Sequence, residues 1–264
     1  MLAGRGPRAA TVGRVVHDVL DYARFGAGLL VVVLATVLLA WRSGIGLGWT
    51  PLTSLARAVV QLSIVALLLR GILAVPWTVV AFLALMLTTA SVTASGRLSE
   101  LWHGRRAAVI GVVVGACVAL TLVFVLRLVA LEPRYLVAVA GIIIGNAMSA
   151  ATLSGRNFLR GVRHRRDEVE AWLSLGASPS RAHLEIGQEA VRESLLPNLD
   201  QTRSTGLVTL PGAFVGALFG GASPAVAAQF QLVVLAGIAL AMTVTGVIVT
   251  RLLSRSPYLP PAPS

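Results

Sequence analysis

A chain of 264 residues with 56% hydrophobic and only 12% charged side chains carries about half the charge of a soluble globular domain, which excludes an ordinary water-soluble fold. Its net charge of +11 comes from arginine alone. With no lysine to reach nucleotide phosphates the chain cannot build a P-loop, so it is not itself a P-loop ATPase.

Apolar runs near the roughly 20 residues needed to cross a bilayer recur along the chain. They predict an all-α, polytopic helical membrane protein with about seven transmembrane helices, or six if the short first run does not cross. Residues 1–25 read as a basic, interfacial N-terminal tail. Residues 26–254 read as one transmembrane domain with a charged loop at about 156–203, and residues 255–264 as a proline-rich tail. The first apolar run, Ala27 to Trp41, follows that basic tail as a signal peptide would. No small-residue cleavage site leads into a soluble domain, so it is read as a span, about Gly26–Ala40. A glycine-rich turn (Gly44, Gly46, Gly48) separates it from span two, about Leu55–Val75, which opens with Arg57 and Gln61. Arg70, near the end of that span, has a stem long enough to snorkel. Span three covers about Pro76–Ser95 and ends in small hydroxyls, Thr88, Thr89, Ser91, Thr93 and Ser95. Span four covers about Ala107–Leu126 and holds the single cysteine, Cys117, so no intrachain disulfide is possible. Span five, about Tyr135–Leu153, contains Asn146, Met148 and Ser149. Span six is expected at about Ser204–Gly221, interrupted by Pro211-Gly212, and span seven at about Gln229–Thr250.

The arginines sit between the apolar runs, where they serve as orientation signals and lipid-headgroup contacts; no nucleic-acid partner is expected. With seven spans, 7 of the 22 arginines fall on the side of the N-terminus and 15 on the other. That bias puts the charged loop and the C-terminus in the cytoplasm and the N-terminus outside. Four Gly-x-x-x-Gly pairs lie in the spans: Gly111/Gly115, Gly141/Gly145, Gly212/Gly216 and Gly216/Gly220. They read as close helix packing within one bundle ahead of a dedicated dimer face.

Chemistry is concentrated outside the spans. Seven of the eleven acidic residues lie between Asp167 and Asp200, no acid or histidine is expected mid-span, and Asp200 at the foot of span six comes nearest. Ion-coupled carriers keep such a group within the membrane, and a hydrolase needs a nucleophile with a base in reach. Neither pattern is present, so the energy source is expected on a partner. The charged loop offers a place to grip. A short helix carrying Glu170, stopped at Gly176 and redirected by Ser178-Pro179, makes a compact knob. Glu170-Ala171, Gly176 and Ile186 partly match the loop that ABC-importer permeases insert into their ATPases. Trp172 replaces that loop's second alanine, and its Leu-Pro is displaced to Leu196-Pro197.

A set of ordered motifs is more specific. Arg57-Ala58-Val59-Val60-Gln61-Leu62, Gly145-Asn146-Ala147-Met148 and Ser174-Leu175-Gly176-Ala177-Ser178-Pro179 are followed by Leu196-Pro197-x-x-Asp200. Then come Gly206-Leu207-Val208-Thr209-Leu210-Pro211-Gly212, Gly221-Ala222-Ser223-Pro224 and Phe230-Gln231. From about Arg57 to Thr250 the chain resembles the FetB-type ABC-transporter permeases, a family that includes the plant aluminium-tolerance membrane proteins. The resemblance implies a membrane subunit in a bacterial inner membrane, most simply a homodimer, working with a separate FetA-type ATPase. ATP and Mg would bind that partner, and no cofactor would bind this chain. It implies iron export in the bacterial case, whereas the plant relatives are linked to UDP-glucose, a nucleotide sugar. Two departures bear on a metal cargo. The family pattern has methionines after the Pro-Gly of span six, where this chain has Ala213-Phe214-Val215, and asparagines at the end of span three, where it has Thr and Ser. Soft thioether and amide ligands are thereby lost, and neither Met148 nor Cys117 makes a firm metal site.

The expected ATPase-coupling residues are Glu170, Ala171, Leu175, Gly176, Ala177, Pro179 and Arg181. The expected polar path is Gln61, Thr89, Thr93, Asn146, Met148, Ser149, Asp200 and Thr209, each of which also serves as an interhelical hydrogen-bonding group. Pro211 and Gly212 are the expected hinge, because proline removes a ladder hydrogen bond. A stand-alone carrier and a partner-recruiting scaffold are the rival readings.

Overall fold

The computed structural model describes residues 7–257. Among them all regular structure is helical: α1 (Pro7–Arg42), α2 (Thr50–Ala74), α3 (Pro76–Arg97), α4 (Gly104–Val125), α5 (Pro133–His164), α6 (Arg166–Ser174), α7 (Pro179–Ala182), α8 (Leu184–Ser204), α9 (Gly212–Phe219) and α10 (Pro224–Leu253). Six of the described helices are long and apolar enough to cross a membrane. They lie at Leu20–Arg42, Thr50–Leu69, Trp77–Arg97, Gly104–Val125, Pro133–His164 and Pro224–Leu253. The protein is a multi-pass helical membrane protein.

Contacts divide the chain into two units, residues 1–70 and 71–264. In the first, α1 runs unbroken from Pro7 to Arg42, so the described part of the 1–25 tail is helix rather than a separate element; residues 1–6 lie outside the described residues. The apolar window of α1 is 23 residues long, so the first run is not short after all. Gly44 and Gly48 make the turn to α2 at φ +66° and +52°, a left-handed conformation that glycine adopts without Cβ strain. The side chain of Arg70 lies outside the described set, as do residues 258–264, most of the proline-rich tail.

The second unit is a bundle whose directions follow from its contacts. The Tyr135 and Phe230 rings lie 5.8 Å apart, Ile143 packs on Gly237, and Ser154 packs on Gly246, so α5 and α10 run parallel. Helix α3 follows the same direction, with Met86 against Gly141 and Leu98 against Gly155. Helix α4 runs the other way, Gly111 facing Val249 and Val123 facing Gly237. Small residues let these backbones close up. A Cβ on Gly111 would stand 2.7 Å from Val249 Cγ2, and one on Gly115 would stand 2.8 Å from the Ala241 carbonyl and overlap Thr245. Thr245 Oγ1 then donates to the Gly111 carbonyl at 3.0 Å across the seam. The Gly111/Gly115 pair is therefore bundle packing, as expected. Gly145, Gly212 and Gly216 meet nothing within 4 Å.

Two parallel neighbours need a return leg between them, and α8 provides it. Gly161 of α5 meets Ile186, Ser154 bonds Ser194 at 3.0 Å, Gly187 meets Thr250, and Gly246 meets Val191. The sixth span expected at 204–221 is not a spanning helix: α8 ends at Ser204 and the eight-residue α9 starts only at Gly212. Hydropathy misplaced the return because α8 is polar on one side. Ile186, Gly187, Ala190, Val191, Ser194 and Asn198 are buried, whereas Glu185, Glu189, Arg192, Glu193, Asp200 and Arg203 are exposed. The charged loop of 156–203 is correspondingly smaller than expected. Residues 156–164 finish α5, and only about 166–182 stands outside the long helices.

A repeated tetrapeptide sets two of the chain reversals. Gly-Ala-Ser-Pro occurs at 176–179 and at 221–224. In each case glycine takes positive φ, +84° and +89°. The pair of backbone bonds that closes a helix end follows, Gly176 N to Leu173 O and Ala177 N to Trp172 O in one, Gly221 N to Leu218 O and Ala222 N to Ala217 O in the other. Proline then opens the next helix, where its missing N–H is no loss.

Candidate functional site

The segment α6–α7 forms a knob at the end of the bundle where α5 finishes and α8 begins. Asp167 and Glu168 occupy the first turn of α6, where the helix dipole favours negative charge. Val169 is fully buried, Leu173 packs against the core, and Ala182 and His183 are buried on the return. His183 Nδ1 sits 2.7 Å from the Pro179 carbonyl, and its ring lies 5.7 Å from Phe158. Those contacts root the knob. Arg166 Nε donates to Glu170 Oε1 at 2.8 Å along its flank, and Arg165 pairs with Glu189, tying the α5–α6 corner to α8.

Its outer side is apolar at the tip. Leu175 is 83% exposed and Trp172 43% exposed, with Ala171, Gly176 and Arg181 also exposed and Ala177 and Pro179 half-buried. The structure thus gathers all seven expected coupling residues in one place. Trp172 belongs with them; the sequence reading treated it only as a mismatch, although an aromatic in a charged loop was the available signal.

The expected path residues do not converge in the same way. Gln61 lies exposed on α2, in the unit of residues 1–70. Thr89 and Thr93 are exposed on α3, and their hydroxyls donate back to Leu85, Met86 and Thr89 carbonyls of their own helix. Asn146 and Ser149 do likewise on α5, to Ile142 at 2.9 Å and Gly145 at 3.1 Å, while Met148 packs against the core. Among described residues, bonds between helices fall elsewhere: Thr245 to Gly111, Ser154 to Ser194, and Arg97 to Thr152. Thr209 is exposed in the 205–211 loop, beside the Gly206–Thr209 backbone bond of 2.9 Å. Pro211 and Gly212 do not kink a span. Pro211 is the N-cap of α9, and the helical break comes earlier, at Thr205.

Asp200 stands apart from these. It lies thirteen residues beyond Gly187 on α8, roughly 20 Å along the helix at 1.5 Å per residue. The antiparallel register sets it beside the middle of α5, at the level of Asn146 to Ser149, rather than at the foot of a span. Asp200 is paired with Arg203 at 3.3 Å, their side chains 65% and 78% exposed. A charge at that depth facing lipid costs about 3 kcal/mol even on the lenient insertion scale. Gln231 is a further residue without an assigned role in the sequence reading. Buried on α10, it accepts the Phe214 N–H at 3.1 Å and fastens α9. Its signal was a pair of amides, Gln229 and Gln231, early in an apolar run. Among the described residues no three His, Cys, Asp or Glu side chains gather closely enough to hold a metal ion.

The profile of UPF0014, described as an uncharacterised protein family, matches residues 25–258. The chain belongs to the UPF0014 family. It is 34% identical over 224 residues to "UPF0014 membrane protein STAR2" of Oryza sativa subsp. japonica, covering 84% of this chain and 78% of that one. It is 33% identical over 229 residues to "Protein ALUMINUM SENSITIVE 3" of Arabidopsis thaliana, covering 86% and 84%. It is 29% identical over 207 residues to the "Probable iron export permease protein FetB" of Escherichia coli (strain K12), covering 78% and 80%. No solved structure matches the chain. This UPF0014 member therefore carries the knob and the polar return helix over a length that its relatives largely share.

Proposed function

We propose that this chain is the permease subunit of an ATP-driven ABC exporter of iron or another metal, and that a separate ATPase grips the α6–α7 knob. The observation that carries the reading is the knob itself: a rooted, rigidly terminated hairpin whose tip leaves Leu175 almost fully and Trp172 partly exposed. A solvated hairpin without a partner gains nothing from exposing leucine and tryptophan at its tip, whereas aromatic and apolar anchors are what partner surfaces bury. Closure of two ATPase subunits against two such knobs would push along α5 and α8, which meet at the Arg165–Glu189 pair, and release the 205–211 loop and Pro211-Gly212 at the far end. The printed name of the Escherichia coli relative, an iron export permease, supports the cargo. Soft ligands missing from 213–215 do not oppose it, because an exported ion has to be released and not caged.

The reading places the knob and the C-terminus in the cytoplasm and the N-terminus outside, with α8 completing an odd number of crossings. Ser180, exposed on α7, tests that. In a Cys117→Ala background, Ser180→Cys should react with a membrane-impermeant maleimide in inside-out vesicles and stay unlabelled in intact cells. Labelling from outside intact cells would remove any ATPase from reach of the knob and end the proposal.

A further inference from the structure

We infer that the groove between α8 and α10, at the knob end of the bundle, binds one molecule of an acidic phospholipid. Its phosphodiester sits on Arg251 and its uncharged, hydroxylated headgroup among His183, Gln188 and Ser254. The inference goes beyond the permease reading and needs only that the long helices cross a membrane.

A cavity of about 310 Å³ opens there, at the low end of the roughly 300–1,000 Å³ that hold small ligands. The antiparallel register builds it in three rungs. Val191 and Val247 form the inner one, beside the contact of Val191 with Gly246. Gly187 meets Thr250 in the middle, next to Gln188, and His183, Arg251 and Ser254 close the outer one. Helix α10 carries no charged side chain from Ala225 to Thr250. Arg251 is thus the first charge past its apolar stretch and stands at headgroup depth. The groove grades from apolar to polar along the membrane normal, as a lipid does from acyl chain to headgroup. Leu184 is the one apolar side chain at the outer rung, and it is 42% exposed. The ester-linked end of a lipid covers such a side chain, whereas a bare phosphate does not.

The polar groups define the headgroup. Among the described residues the Arg251 guanidinium has no partner, and its fork of N–H donors is suited to holding a phosphate by two bonds. His183 is 2% exposed. Its Nδ1 lies 2.7 Å from the Pro179 carbonyl, which can only accept, so Nδ1 carries the proton and the neutral ring keeps Nε2 as an acceptor. Nothing among the described residues donates to that Nε2, and a buried acceptor left open is costly. The Thr250 and Ser254 hydroxyls donate to the Gly246 and Arg251 carbonyls at 2.9 and 3.2 Å, which leaves their oxygens free to accept as well. No Asp or Glu lines the cavity. Headgroup hydroxyls therefore satisfy these acceptors while Arg251 holds the phosphate, and an ammonium headgroup finds no counter-charge. That chemistry is a phosphodiester bearing a glycerol-type headgroup.

Lipid retention decides it. The full chain in dodecyl maltoside micelles, titrated with dioleoyl phosphatidylglycerol and read by native mass spectrometry, should hold one lipid about 10-fold more tightly than dioleoyl phosphatidylethanolamine. Arg251→Gln should weaken phosphatidylglycerol about 10-fold or more, the worth of one charge-assisted pair. Gly187→Leu keeps every charge and fills the middle rung. A Cβ there meets Thr250 only at an ordinary 3.5 Å, and the variant should lose the bound lipid. Arg163→Gln is the control, an exposed arginine at the same end of the bundle but outside the cavity, and it should stay within about twofold. Equal losses from Arg163→Gln and Arg251→Gln would mean that surface charge alone gathers the lipid and would overturn the site. Equal retention of the two lipids would overturn the headgroup selection. Displacement of the lipid by soluble sn-glycerol 3-phosphate would make the ligand a free phosphate ester and overturn the lipid. None of these readouts involves an ATPase, so they stand or fall apart from the permease reading.

Discussion

Replacing Leu175 with aspartate is expected to weaken binding of the ATPase subunit about 30-fold or more while leaving the protein's own stability unchanged. Truncating a central anchor of an interface costs about 2 kcal/mol or more, and each 1.4 kcal/mol is tenfold in affinity. Burying an added carboxylate only enlarges the loss. Within the chain the substitution touches little. Leu175 is 83% exposed, and the helix end beside it is closed by backbone bonds of Gly176 and Ala177, which do not involve its side chain. Co-purification and stimulated ATP turnover should fall together, with the thermal unfolding midpoint in detergent unmoved. A variant that binds and stimulates normally would show that the tip is not where force enters.

Replacing Gly115 with isoleucine is expected to have the largest effect on folding. The first carbon of any side chain there would stand 2.8 Å from the Ala241 carbonyl, which is backbone and cannot swing aside, and would overlap Thr245. Overpacking of this kind costs about 1–3 kcal/mol, sometimes more. Displacing Thr245 would also break its bond to the Gly111 carbonyl, worth a further ~0.6 kcal/mol in a membrane bundle. Gly145→Ala is the matched control, since nothing lies within 4 Å of a Cβ there, and its change should stay within about 0.5 kcal/mol. Thermal unfolding of both variants in the same detergent checks the contrast. Equal loss from the two would mean that the α4–α10 seam is not the constraint described.

Most of the fold was legible because hydropathy reports lipid and bundle burial in one signal. The runs that became α2, α3, α4 and α10 were found within about five residues, whereas α1 begins well before and α5 ends well after the expected bounds, and Pro76 marked the start of α3. The sixth expected span was misplaced for a physical reason. Helix α8 is polar on one side, so its Glu and Arg residues, together with Pro197, made it read as loop, while the apolar 204–221 stretch that follows read as a span. Only the parallel course of α5 and α10 shows that the chain must return between them. The knob was readable because Gly176 and Pro179 state their backbone conformations outright. The polar path was not, because Thr89, Thr93, Asn146 and Ser149 satisfy themselves on their own helices, a choice that spacing along the chain does not reveal.

The most direct test is export by purified components. The chain and its ATPase subunit, reconstituted with the knob facing the bath, should drive ferrous iron into the vesicle lumen on addition of ATP and Mg, and the Leu175→Asp chain should abolish that movement. Iron entry at the same rate with the ATPase omitted would contradict the account, because the permease would then need no motor.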